Sequence, residues 1–131
     1  MARKAKKTIL VVDDDLDLLE TLKAILEDFD YNAITCSGGE AALEKLKAVT
    51  PHLILLDIMM PKMDGIQTLA QLKNNPKTSS IPVIMLTAKT ETETIWKAQK
   101  MGAVDYIVKP FKTDDLLKWV RIYETPDETT T

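Results

Sequence analysis

Short unbroken apolar runs alternate five times with segments whose apolar positions recur every three or four residues. Thr8–Val12 is the first run and predicts a fully buried strand that stops at Asp13-Asp14-Asp15. Leu18, Leu22, Ile25 and Phe29, with Leu19 and Leu26, predict an amphipathic helix over 16–28. Tyr31–Cys36 reads as a second strand, and Ser37-Gly38-Gly39 opens a helix running to about Ala48. Leu53–Leu56 is a third strand, again ending in an acid, Asp57. A helix over 65–73 and a loop over 74–81 lead to a fourth strand, Val83–Leu86, which ends in Thr87-Ala88. Residues 91–101 form a helix stopped by Gly102, and Ala103–Val108 is the fifth strand, broken by Pro110. Thr113 is the expected cap of the last helix, with Asp114 and Asp115 placed favourably on its N-terminal dipole.

Apolar strands alternating with helices imply a parallel sheet covered on both faces. Five such units are too few for an eight-stranded barrel and suit an open, doubly wound α/β sheet. Chemistry in such sheets collects beyond the carboxyl ends of the strands, at the topological switch point. Function is therefore expected just after Val12, Leu56, Leu86 and Val108.

Composition narrows the class. The 131 residues are 45% hydrophobic and 28% charged, enough for one ordinary core without a disulfide or metal staple. Cys36 and His52 are single, which excludes a disulfide framework, a Cys/His zinc site and a two-histidine metal motif. The net charge of -3 includes four basic residues at the start, Arg3, Lys4, Lys6 and Lys7, so the remainder carries -7. That balance argues against direct nucleic-acid binding. The basic start imitates a signal peptide, but the following apolar run, Ile9–Val12, is too short for one and far too short for a membrane span. A soluble cytoplasmic protein is expected, with a basic tail at 1–7, one domain at 8–124 and a polar tail at 125–131.

The strand ends hold Asp13-Asp14, Asp57, Thr87 and Lys109. Each alone has an ordinary structural reading, but together they place three carboxylates, a hydroxyl and an ammonium at one end of the sheet. Crowded carboxylates repel unless a cation joins them, and hard oxygen donors suit Mg²⁺. Lys109 supplies charge for a further anion and Thr87 a donor, which is equipment for phosphoryl transfer. The nucleophile this set offers is a carboxylate.

Ile9-Leu10-Val11-Val12-Asp13-Asp14-Asp15, Leu55-Leu56-Asp57 running on to Met60-Pro61 and Asp64-Gly65, Val83–Ala88, and Gly102-Ala103 through Lys109-Pro110-Phe111 resemble the signatures of response-regulator receiver domains. The likeness covers about residues 8–124, in family order and spacing. It implies a flavodoxin-like sheet of order 2-1-3-4-5 with five helices. It implies that Asp57 accepts a phosphoryl group from a histidine kinase or phosphotransfer protein. Asp14, Asp57 and the main-chain carbonyl of Met59 would bind Mg²⁺ (or Mn²⁺), with Asp13 acting mainly through bound water. Thr87 would donate to the phosphoryl oxygen, Lys109 would pair with it, and Tyr106 would follow Thr87. The Lys109-Pro110 bond is expected to be cis. The protein would catalyse only its own aspartyl phosphorylation and dephosphorylation.

The resemblance further implies a phospho-dependent output partner on the face of the fourth helix, fifth strand and fifth helix. On a helical wheel Ala98 and Gly102 fall near Ile95, whereas Trp96 projects away; Trp96 and Tyr106 are the expected partner contacts. Met59 and Lys89 would flank the path of water attacking the phosphoryl group. Neither offers a strong acceptor, so slow autodephosphorylation is expected. Asp15 and Asp17 read as first-turn helix acids, His52 as a surface residue entering the third strand, and Cys36 as a small buried hydrophobe. Met59, Met60 and Met63 read as loop packing rather than a soft-metal site. Two rivals remain: a haloacid-dehalogenase-like phosphatase using Asp13, Asp15, Thr87 and Lys109, and a phosphorylation-independent interaction domain. The first leaves Asp57 unexplained and lacks an acidic pair at a strand end after Lys109.

Overall fold

The computed structural model describes residues 6–88 and 92–124. Five parallel strands, β1 (Thr8–Val12), β2 (Asn32–Cys36), β3 (Leu53–Asp57), β4 (Val83–Thr87) and β5 (Asp105–Val108), form one sheet in the order β2-β1-β3-β4-β5. The helices between and after them are α1 (Leu16–Asp28), α2 (Gly39–Lys45), α3 (Gly65–Asn74), α4 (Thr92–Lys100) and α5 (Thr113–Tyr123).

Alternation along each strand sorts its side chains onto two faces. Ile9, Val11, Leu53, Leu55, Ile84, Leu86 and Ile107 pack under α1 and α5 against residues such as Leu22, Leu26, Leu116 and Val120. Leu10, Val12, Ile54, Leu56, Val83 and Met85 pack the other face against Ala42, Leu69, Leu72 and Ala98 of α2, α3 and α4. Every residue of β3 and β4 is buried, which is why these strands read as unbroken apolar runs.

Several boundaries differ from the sequence pattern. The last helix starts behind Lys112, whose backbone is extended and whose carbonyl accepts the first turn's bond from Leu116 N–H at 3.1 Å. Thr113 is therefore already helical, and the Lys112 side chain makes no capping hydrogen bond. Helix α2 stops at Lys45 because the chain tightens: Lys47 and Ala48 donate to carbonyls three residues back. Tyr31 precedes β2 and Ala103 precedes β5, although Val104 N–H already bonds Val83 O at 2.9 Å. Asp15 caps α1, its carboxylate accepting from Leu18 N–H, and Asp17 lies in the first turn. His52 leads into β3 and is half-buried; its Nδ1 accepts from Thr8 N–H at 3.0 Å. Cys36 ends β2 and is buried. Of the tails expected at 1–7 and 125–131, residues 1–5 and 125–131 lie outside the described residues.

At the N-terminal edge of the sheet, Glu124 ties two distant segments to the end of α5. Its carboxylate accepts from Lys7 Nζ at 3.0 Å and from Tyr31 Oη at 2.6 Å. Burial and the Glu124 carboxylate push the Tyr31 phenol up to about 12. Among the described residues no helix is long and apolar enough to cross a membrane.

Candidate functional site

Strand register assembles the site. Val12 pairs with Leu56, so the residues that follow, Asp13 and Asp57, stand side by side at the ends of β1 and β3. Asp57 pairs with Leu86 and Thr87 with Val108, which brings Thr87 and Lys109 to the same rim. This is the topological switch point: from β1 the chain moves out to β2, then crosses back past β1 to β3 on its other side.

Oxygen atoms of Asp13, Asp14 and Asp57 lie within 4.8 Å of one another. Asp13 and Asp57 are buried and Asp14 is exposed, so the cluster opens to solvent on one side. Lys109 Nζ donates to Asp13 Oδ2 at 2.7 Å and to Asp57 Oδ1 at 3.1 Å. Burial and the Asp13 charge push the Asp57 carboxyl from 3.8 up to about 6, against the pull of Lys109. Burial alone would lower the Lys109 pKa, but its bonds to Asp13 and Asp57 and their charges outweigh this and raise it. With all four groups ionised, three carboxylates and one ammonium leave a formal charge of -2. Hard oxygen donors with that residual charge fit a divalent cation.

Thr87 is buried, and its hydroxyl donates to the Ala88 carbonyl at 3.0 Å. Its partner is thus local, with no bond to the acids. The Lys109-Pro110 peptide is cis. Met59 stands out from the loop after β3 at 62% exposure. Tyr106 is exposed on β5, and Trp96 is 63% exposed on α4, with Lys100 Nζ 4.8 Å over its ring one turn later. Lys89 lies outside the described residues. Asp15 is committed to capping α1, and Asp114 and Asp115 are exposed in the first turn of α5. None of the three joins the acid cluster, which removes the acids that the phosphatase scheme requires.

Two contributors escape a reading of the sequence pattern. Gly65, the first residue of α3, donates to Ile58 O at 2.8 Å, and a Cβ there would collide with the Asp57 carbonyl and Ile58 Cα. The Asp64–Gln67 capping box beside it is legible in sequence, but the backbone approach is not. Asp105 accepts from Tyr123 Oη at 2.7 Å and from Tyr106 N–H at 2.8 Å, tying α5 to the strand that carries Tyr106. No sequence signal marks that pair.

The response regulator receiver domain model matches residues 9–121. The chain is 40% identical over 116 residues to the DNA-binding response regulator MtrA of Mycolicibacterium paratuberculosis, covering 88% of this chain and 50% of that protein. It is 42% identical over 109 residues to the transcriptional regulatory protein ZraR of Escherichia coli, covering 82% of this chain and 24% of that protein. The chain thus spans half the length or less of these two relatives. Among solved structures, the chemotaxis protein CheY4 of Vibrio cholerae superposes with a TM-score of 0.86 at 28% identity, over 91% of this chain and 99% of that one. The signal receiver domain of a histidine kinase from Syntrophus aciditrophicus gives 0.83 at 32% identity, over 95% and 98%. With the family match spanning most of the chain and the sheet order and helix count shared, this chain belongs to the response regulator receiver domain family of two-component systems.

Proposed function

We propose that this receiver takes a phosphoryl group onto Asp57 from the phosphohistidine of a histidine kinase or phosphotransfer protein. The observation that carries the reading is the Asp57 carboxylate, buried between two further acids and held 3.1 Å from the Lys109 ammonium. In the transfer an Asp57 oxygen attacks phosphorus in line and the P–N bond breaks. The donor imidazole keeps that electron pair. Lys109 follows the charge onto the phosphoryl oxygens. Thr87 exchanges its local carbonyl partner for a phosphoryl oxygen, and Tyr106 follows Thr87.

Asp13, Asp14, Asp57 and the Met59 main-chain carbonyl would hold Mg²⁺ or Mn²⁺, Asp13 mainly through bound water. Such a cation neutralises the charge that accumulates between nucleophile and phosphoryl oxygens. The switching surface is the α4–β5–α5 face, where exposed Trp96 and Tyr106 meet a phospho-dependent output protein. Met59 and Lys89 tune the lifetime of the phosphoryl group. The functional unit is residues 8–124, working in the cytoplasm with no catalysis beyond its own phosphorylation and dephosphorylation.

Incubation with a small phosphodonor and Mg²⁺, followed by peptide mapping, tests the assignment. One phosphoryl group on Asp57 is expected. Labelling elsewhere, or no labelling, overturns it, and turnover of phosphoesters would support the phosphatase.

A further inference from the structure

The methionines that cluster in sequence are separated by the fold. Met60 is 7% exposed within the core beneath α2, α3 and α4. The Met63 thioether lies beside Gly39 of α2 and is half-buried. Their sulfurs are thereby committed to packing, and the group is not a soft-metal site. Met85 is buried and Met101 half-buried. Among the described residues Met59 is the exposed methionine, two positions beyond Asp57. The loop bearing it is fixed at both ends: Ile58 N–H donates to Leu86 O at 3.0 Å, and Gly65 N–H returns to Ile58 O at 2.8 Å.

We propose that Met59 is a redox-modification site, whose conversion to the sulfoxide shortens the life of the phosphoryl group on Asp57. The second half of this rests on the reading of Asp57 as phosphoacceptor. The oxidant is a peroxide. The thioether lone pair attacks one peroxide oxygen, an S–O bond forms and the O–O bond breaks. The departing oxygen takes the peroxide proton and leaves as water or an alcohol. Sulfur loses two electrons and the peroxide gains them.

Exposure makes Met59 the preferred target and makes its oxidation harmless to the core. The chemical change is large: an apolar side chain with a weak acceptor gains a strong acceptor oxygen. The loop base is pinned to β3 and β4 one residue beyond Asp57, so the sulfoxide oxygen would be carried close to that carboxylate. There it can hold a water for attack on phosphorus. One added positioning hydrogen bond corresponds to about a 3–10-fold faster loss of the phosphoryl group.

The test oxidises the full chain with limiting hydrogen peroxide and maps the added oxygen by peptide mass. Decay of the phosphoryl group is then followed in excess Mg²⁺ after donor removal. Met59 is expected to oxidise first, the unfolding midpoint to stay unchanged, and decay to accelerate by that factor. Met59→Leu should be insensitive to peroxide, and Met59→Gln should decay fast without it. Earlier oxidation of another methionine overturns the site. Oxidation at Met59 with unchanged or slower decay overturns the regulation. Failure to phosphorylate Asp57 at all would instead refute the phosphoacceptor reading and the regulation with it, leaving the mapped oxidation to stand or fall separately.

Discussion

Asp57→Asn should make the protein more stable in the absence of divalent cations. The amide keeps the carboxylate's shape and can still accept from Lys109, but it removes one of three crowded negative charges. Raising the Asp57 carboxyl from 3.8 to about 6 means that ionising it in the native state costs more than in the unfolded chain. About two pKa units correspond to roughly 3 kcal/mol, an upper bound on the gain at pH 8. Allowing for a weaker bond from Lys109 to a neutral acceptor leaves about 2 kcal/mol. For a domain of this size that is a rise in melting temperature of about 6–10 °C.

The sign follows from proton uptake. Between about pH 4 and 6 the native wild type binds more protons at Asp57 than the unfolded chain does. Its stability therefore falls as pH rises through that window, and the full penalty stands above it. The variant lacks this dependence, so the two proteins should differ little in this term near pH 4 and most at pH 8. Thermal unfolding of both, in a chelator at several pH values, makes the measurement. Saturating Mg²⁺ should narrow the gap, because a ligand of the native cluster stabilises it by mass action and the variant offers one carboxylate fewer. A variant less stable than wild type at pH 8, or a gap that does not change with pH, would refute the electrostatic account.

Other substitutions probe other parts. Gly65→Ala forces a methyl into the Asp57 carbonyl and should destabilise the fold by about 2 kcal/mol or more, read as a urea midpoint shift; a neutral result would mean the loop relaxes freely. Tyr31→Phe removes the 2.6 Å bond to Glu124 and should cost about 1.5 kcal/mol at neutral pH. Because the Tyr31 phenol is raised to about 12, its contribution in the wild type should be lost as pH climbs from about 10 to 12, and alkaline unfolding of the two proteins should converge there. Met59→Asn with Lys89→Glu should speed phosphoryl decay by about 5–30-fold, measured in excess Mg²⁺ after donor removal; equal rates would sink the tuning argument.

Much of this molecule is written in local periodicity. Strands buried on both faces, such as Leu53–Asp57 and Val83–Thr87, show as apolar runs, and the acids and hydroxyl that follow them stand out because they break those runs. Parallel register then brings Asp13 and Asp57 together without further specification. What stayed hidden depends on approach in three dimensions. The start of α5 is set by the extended backbone of Lys112, which a cap-forming Thr113 next to it obscures. Gly65 reads as an ordinary helix-start glycine until the backbone of β3 is seen against it. The double engagement of Lys109 by Asp13 and Asp57, and the Asp105–Tyr123 bond, join residues far apart in the chain, and no spacing rule encodes them.

The contact of Lys7 with Glu124 has a topological consequence. A residue entering the first strand and the residue leaving the last helix meet at 3.0 Å, at the pole of the sheet opposite the acid cluster. Strands of five residues separate the two poles by about 15 Å. The domain is therefore nearly a closed ring in space, and circular permutation is open to it: a short flexible bridge across Lys7 and Glu124, with new ends cut in the exposed turn at Asn75–Lys77, would preserve every strand pairing. By the same geometry, a fluorophore or second domain fused at either of these positions would sit clear of the carboxylates.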